Sequence, residues 1–501
     1  MLFIAGVGSA IAAPEPDRAT LEAALQGGGS LMLDGRVLDR AALRALYESR
    51  DFAPAWDEGR AAALTRALAA AQNEGLDPGA YAVVGIVPIE RELLLTDAFL
   101  RYASALARGR VWPGEFEKDW RIPAPAFDPP QAFAAAATGD VVAVLASLTP
   151  SDSAYQRLRG ALARYRDLAA RGWPRLVRAA SLHRGDRGPG VAALRGRLAA
   201  EGFDPGIAAD TALFDNPLAA AVGRFQAARG LAPDGVAGRA TIAALDIPPQ
   251  ARVKQIMLNL ERSRSLPRFV DSRRIEVNAA AEMATFYDGD NVLKETRVIV
   301  GSVRRPTPVL RAEVTAVLFN PPWNVPSSIL RNEILPRLKR DPGYLDRLGF
   351  SFMDRPGGRR LVQRPGPENA LGQLKFEMPN PANVYLHDTP DRNLFARPQR
   401  ALSHGCIRVD DPRDLARILL DSNDWSRPAI DGAIASGETQ SVPLPHRVPV
   451  YVLYWTAFVD PDGTVEFRDD LYGRDKRLVV ALASQGATEY LTASAEAGGH
   501  C

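Results

Sequence analysis

The chain has 501 residues, 46% of them hydrophobic and 24% charged, with 61 basic and 59 acidic side chains. That length exceeds what one core organises, so two to four domains are expected, and the ordinary composition excludes a largely disordered chain. A net charge of +2 gives no global footprint for nucleic acid, and two cysteines cannot form a disulfide framework.

Residues 1–13 form an apolar run that ends in small residues. Ala10-Ile11-Ala12 fits a signal-peptidase site, so the segment reads as the remnant of a signal peptide, although no basic region precedes it. Export to the periplasm or cell envelope is therefore expected, with a buried N-terminal helix as the competing reading. No later segment reaches 18 uninterrupted apolar residues, so no integral membrane span is expected in the mature chain.

Residues 18–175 carry apolar side chains at helical spacing, as in Leu43, Leu46 and Tyr47, then Leu64, Leu68 and Ala71. They predict a helical scaffold domain broken at Asp77-Pro78-Gly79, at Trp112-Pro113-Gly114 and in the proline-rich stretch 122–130. Its charges are expected on solvated helix faces. Tyr47, Trp56, Trp112 and Trp120 are expected to pack the core or domain contacts. Residues 181–248 predict three short helices joined by glycine-rich turns, followed by a helical linker over 249–273.

From Arg274 the pattern changes to strands. Ile275, Val277 and Ala279 alternate, and Asp288-Gly289-Asp290-Asn291 makes a hairpin turn before Val298-Ile299-Val300. Further strands are predicted at 313–319, 384–387, 448–455 and 465–467. An insertion over about 327–374 has a helical pattern at Ile329–Leu338 and a turn at Pro356-Gly357-Gly358. It is a lid or substrate cap, or else a structural subdomain. The strand-rich domain is expected to run over 274–478 and to be followed by a tail over 479–501. The fold class is thus multidomain α+β.

Cys406 lies in the run Ser403-His404-Gly405-Cys406-Ile407-Arg408, with His387 and His404 upstream. A thiol near neutral pH is mostly protonated, and a nucleophilic one needs a base or a positive field, which His387, His404 and Arg408 each offer. Gly405 lets substrate approach closely, and the N–H groups of Gly405 and Cys406 are candidate oxyanion donors. His387 is the candidate general base, with Asp388 or a backbone carbonyl as its orienter. Alternation along a strand argues against Asp388 in that role. Arg408 is suited to bracing the loop or meeting a substrate carboxylate. Ser403 and His404 are candidates for loop support, and Trp323, Asn324 and Tyr385 for lining the groove. No CxxC, HxxxH or HExxH spacing occurs, so neither a metal nor another cofactor is expected.

Several motifs carry a family resemblance. Residues 181–248 include Phe225-Gln226 and Gly230-Leu231-Ala232-Pro233-Asp234-Gly235 with Gly238 and Thr241, and they resemble the small peptidoglycan-binding domain family. Val300-Gly301, Arg305-Pro306-Thr307-Pro308, Asn320-Pro321-Pro322-Trp323-Asn324, Leu371-Gly372, Lys375-Phe376, Tyr385-Leu386-His387-Asp388 and Ser403 through Val409 resemble the L,D-transpeptidase catalytic domain of the YkuD type. The His387 to Ser403 spacing, with residues 388–402 between them, belongs to that pattern. The whole chain is similar to the large YcbB-like subtype, with a helical scaffold, a peptidoglycan-binding module and a mainly-β catalytic domain bearing a helical capping insertion.

The resemblance implies a cell-wall enzyme whose Cys406 attacks the third residue of a tetrapeptide stem, expels D-Ala and forms a thioester. An amine from a neighbouring stem then resolves it into a 3-to-3 cross-link. Donor and acceptor stems are the implied partners, with other cell-wall enzymes as further candidates, and carbapenems are implied to acylate Cys406. The rival readings are an L,D-carboxypeptidase or amidase using the same cysteine, and a non-catalytic wall-binding scaffold.

Overall fold

The structure is a computed structural model that describes residues 16–484 except 86, 174–180, 269–270 and 356–357. The expected cleavage site, the tip of the turn at Pro356-Gly357 and Cys501 lie outside the described residues.

Aspartates open most of the N-terminal helices, because a side-chain oxygen satisfies an N–H that the first turn leaves unpaired. Asp39, Asp57, Asp128, Asp140 and Asp152 do this for Arg40–Glu48, Glu58–Ala69, Pro129–Thr138, Val141–Leu148 and Ser153–Arg171. These helices surround Pro88–Arg108, whose long central stretch is buried. Two expectations change here. A small hairpin, Ser30–Leu33 with Arg36–Asp39, joins the helices. The charges are also not all on solvated faces, since Glu92, Asp97 and Arg101 are buried on the central helix. Glu92 accepts bonds from the Tyr47 hydroxyl (2.8 Å) and the Ala55 N–H (2.6 Å), and Arg101 pairs with Asp97 at 2.8 Å, which makes their burial tolerable. Tyr47, Trp56 and Trp120 are core residues, whereas Trp112 is 36% exposed.

Helices Pro189–Glu201, Asn216–Ala228 and Arg239–Leu245 enclose a separate small core around Leu194, Leu198, Phe214, Val222 and Phe225. Gln226 fixes the glycine-rich turn by donating to Asp234 and Val236 and accepting from Gly235 N–H. This unit is docked rather than tethered. Arg229 is buried, pairs with Glu201 at 2.5 Å and donates to the Val465 carbonyl at 2.9 Å. Helix Pro249–Arg264 continues from it, packs along Ser153–Arg171 and ties to the C-terminal segment through Arg262 and Asp475 at 2.6 Å.

The strand-rich half closes on itself. Its strands are β1 (Arg273–Asn278), β2 (Met283–Asp288), β3 (Asn291–Gly301), β4 (Leu310–Phe319), β5 (Leu374–Glu377), β6 (Leu386–His387), β7 (Ala401–Ser403), β8 (Ile407–Val409) and β9 (Gln440–Leu453). Their order is β7-β3-β8-β6-β5-β4-β9-β1-β2, and β2 pairs back to β3, which makes a ring of eight with β7 attached to β3. β6 and β8 are parallel, with Leu386 beside Ile407 and His387 beside Arg408. The interior is apolar, as alternation dictates: Val298, Val314, Leu374, Phe376, Leu386, Ile407, Val409 and Val450 point inward. Helices Pro412–Leu420 and Arg427–Ala435 add Leu415, Leu419, Ile430 and Ile434 to that core.

The insertion is helical only in its first half. Ser327–Arg340 forms a helix interrupted by a π-turn at Leu330–Ile334. Phe350–Arg355 and Gly358–Gln363 then form a hairpin, to which Trp323–Asn324 adds a third strand. A small core of Val325, Ile334, Phe350 and Leu361 holds it together.

Candidate active site

Alternation that sends Leu374, Phe376, Leu386, Ile407 and Val409 inward sends Lys375, His387 and Arg408 to the opposite face. The register places them side by side, Lys375 beside His387 and His387 beside Arg408. Tyr385 and Cys406 continue the same faces of their strands, and the Tyr385 ring lies 5.6 Å from that of His387. The ring closure therefore gathers five chemically active side chains from three neighbouring strands.

The loop that carries Cys406 is held by a chain of buried hydrogen bonds. Gly405 has φ +114°, a conformation that glycine adopts freely, and its carbonyl accepts from Thr307 Oγ1 at 2.9 Å. Thr307 Oγ1 in turn accepts from Gly301 N–H at 2.8 Å, and the Tyr472 hydroxyl donates to the Gly301 carbonyl at 2.7 Å. Ser403 Oγ donates to the Cys406 carbonyl at 2.5 Å and accepts from Gly405 N–H at 3.0 Å. This corrects one expectation: the Gly405 N–H is already bonded within the loop. No bond to the Cys406 N–H occurs among the described residues.

Cys406 is partly buried, and its thiol points at the Asn383 carbonyl, 3.8 Å away. Burial pushes the thiol above its ordinary pKa. The Tyr385 N–H and hydroxyl and the Lys375 and Arg408 cations pull it back only in part. His387 is 5% exposed, and burial, the Arg408 cation and then Lys375 push it down to about 3. Its Nδ1 is buried without a hydrogen-bond partner, while the backbone groups of Asp388 and Leu371 favour its charged form. Asp388 does not orient it. That carboxylate accepts the Gln373 N–H at 2.9 Å and pairs with Arg392 at 2.6 Å, facing away as neighbours on a strand do.

Arg408 donates to Thr389 Oγ1 at 3.3 Å and keeps a buried Nε without a partner. His404 is exposed and meets Glu333 of the π-turn, which also pairs with Arg305 at 3.4 Å. Trp323 packs on Phe350 of the insertion at 6.2 Å, and its indole reaches the Tyr385 hydroxyl. Asn324 is exposed beside it. No cluster of metal-ligating side chains occurs among the described residues.

Residues 272–445 match the family described as L,D-transpeptidase catalytic domain (YkuD). The chain carries an L,D-transpeptidase catalytic domain. Residues 41–162 match a scaffold domain, and residues 187–245 match the family described as "Putative peptidoglycan binding domain". A Haemophilus influenzae protein named "Putative L,D-transpeptidase" is 36% identical over 246 residues, which are 46% of this chain and 49% of that protein. The chain thus spans about half the length of the curated relative it matches. A solved L,D-transpeptidase from Xylanimonas cellulosilytica aligns at 18% identity over 56% of this chain and 100% of its own, with a TM-score of 0.20. Another, from Stackebrandtia nassauensis, aligns at 14% over 55% and 97%, with a TM-score of 0.23.

Lys375, Thr307 and Glu333 join the candidate site without a role that the sequence predicts. Lys375 was legible in principle, because a cation between inward Leu374 and Phe376 must share the face of His387. Thr307 and Glu333 act across 98 and 71 residues of chain, and only the folded loops reveal them.

Proposed function

We propose that this protein is a peptidoglycan L,D-transpeptidase of the cell envelope that forms 3-to-3 cross-links through a Cys406 thioester. The observation that carries the reading is the convergence of Cys406, His387, Tyr385 and Arg408 on one face of a matched transpeptidase domain. Burial and the Arg408 and Lys375 cations keep the resting imidazole neutral, so it takes the thiol proton only as Sγ bonds to carbon. A thiol above its usual pKa and an imidazole below its own make the neutral pair the resting state.

Attack and proton transfer are therefore coupled. Sγ bonds to the carbonyl carbon of the third stem residue while its proton passes to His387. The tetrahedral oxyanion is met by the Cys406 N–H, a type of contact worth about 3 kcal/mol in comparable acyl transfers. Collapse breaks the C–N bond, and His387 returns the proton to the departing D-Ala amine. The amine of a second stem then attacks the thioester, losing a proton to His387, and the thiol is regenerated. The module at 187–245 is read as holding the chain on glycan, and the insertion as covering the donor stem.

Incubation with tetrapeptide muropeptides tests this reading, with products and intact protein mass followed together. D-Ala release, an adduct on Cys406 and cross-linked dimers are expected. Tripeptide without dimers assigns an L,D-carboxypeptidase instead, and unchanged substrate with unmodified protein overturns both.

A further inference from the structure

A cavity of about 290 Å³ opens beside the thiol, and its chemistry is unused by the acyl transfer just described. Thr315, Lys375, Glu377, Asn380, Asn383 and Tyr385 line it. Asn383 joins it to the nucleophile, because the Asn383 carbonyl is the group that Sγ faces at 3.8 Å.

Lys375 dominates the end near the thiol. It projects from β5 in register with His387, and its ammonium stands 4.5 Å from the centroid of the Tyr385 ring. Among the described residues no carboxylate forms an ion pair with it, whereas Arg408 on the other side of His387 has the charge of Asp391 acting on it. Partly buried cations without a counter-charge are costly, and a ligand anion offsets that cost. The opposite end of the cavity has the other sign. Glu377 is two residues along the same strand, on the same face, and accepts only a neutral donor, Ser441 Oγ at 3.1 Å. A cation near the reacting sulfur and an anion farther out suit a ligand bearing a carboxylate close to the attacked carbonyl.

We propose that this cavity is a subsite for a carboxylate of the peptide stem and that Lys375 is its docking cation. The inference rests on the stem being the donor substrate. Two carboxylates have the required chemistry: that of the terminal residue and any carried by the side chain of the third residue. Both are joined through a few bonds to the carbonyl that Cys406 attacks. A neutral amide at the same place keeps the shape and loses the charge, so the two sources are separable.

The test uses the full chain with Cys406→Ala, which binds without turnover, and three tetrapeptides. One has every carboxylate free, one has its terminal carboxylate amidated, and one has its side-chain carboxylate amidated. One of the two amides is expected to bind roughly tenfold more weakly than the free acid, and its identity names the carboxylate. Adding Lys375→Met should abolish that preference while leaving the melting temperature near the parent's, and Lys375→Arg should keep most of it. Equal binding of acid and amides by the parent, or an undiminished preference in Lys375→Met, overturns the subsite alone. Failure of every tetrapeptide to bind the parent overturns the stem reading together with it.

Discussion

Glu333 of the insertion meets His404, two residues before Cys406. The contact comes from the π-turn at Leu330–Ile334, where an extra residue in the helical turn redirects its side chains, and Arg305 joins it at 3.4 Å. The insertion and the Cys406 loop are therefore fastened together at a partly exposed pair. Such pairs contribute about 0.2–1 kcal/mol, so Glu333→Gln is expected to raise KM by less than about fivefold with kcat nearly unchanged. Hydrogen exchange should quicken in both 330–334 and 403–406. Unaltered exchange in the two segments would remove the latch.

The position of His387 predicts an unusual acid limb. Burial and the Arg408 and Lys375 cations hold its pKa near 3, so adduct formation on Cys406 should not lose a limb near the ordinary imidazole value of about 6.5. Stability follows the same shift. The unfolded imidazole takes a proton below about 6.5, whereas the folded one stays neutral until about 3. The contribution of this group is thus complete above about 6.5, falls by about 1.4 kcal/mol per pH unit between the two values, and then levels off. Denaturant melts of wild type and His387→Gln at two pH values check it. The wild type should lose more stability on acidification, and equal losses contradict the assignment.

Thr307 bridges two segments of backbone beneath the Cys406 loop. Its hydroxyl accepts from Gly301 and donates to the Gly405 carbonyl, and it is fully buried. Thr307→Val keeps the shape but strands both backbone groups, each costing about 1–3 kcal/mol. The expected outcome is a lower melting temperature and slower acylation of Cys406, with Thr307→Ser close to wild type in both. A valine variant that acylates at the wild-type rate would show that the loop holds its form without this brace.

The parts of this chain that sequence discloses are those governed by periodicity and by local chemistry. Alternation in Leu374-Lys375-Phe376 and Ile407-Arg408-Val409 fixes which face holds the chemistry, and the glycine-rich turn around Asp234 fixes the small helical module. Contacts that depend on closure of the sheet are not periodic. The Gly405 N–H was free to be read as an oxyanion donor until the fold turned Ser403 Oγ toward it. Buried Glu92 and Asp97 look like solvated charges on a helix pattern, because only the surrounding helices enclose them. The second half of the insertion shows only the turn at Pro356-Gly357-Gly358 in sequence, yet Phe350–Arg355 and Gly358–Gln363 pair as strands.

Asp388 supplies the sharpest separation between a catalytic and a structural role. Its neighbour in sequence is the candidate base, and an Asp beside a His invites the role of orienter. Its carboxylate instead accepts from Gln373 N–H and Arg392, and Gly372, at φ +62°, leaves room for it where a Cβ would lie 2.5 Å from Cγ. Asp388→Asn keeps the volume and one acceptor oxygen but removes the charge that Arg392 meets. Buried charge-assisted bonds are worth about 1.5–3 kcal/mol, so a loss of stability on that scale is expected. The pH profile of Cys406 acylation should stay in place, since the imidazole does not bond to this carboxylate. Movement of that profile by a full pH unit in the asparagine variant would restore Asp388 as the orienter, whereas a lowered melting temperature with the profile unmoved fits the brace.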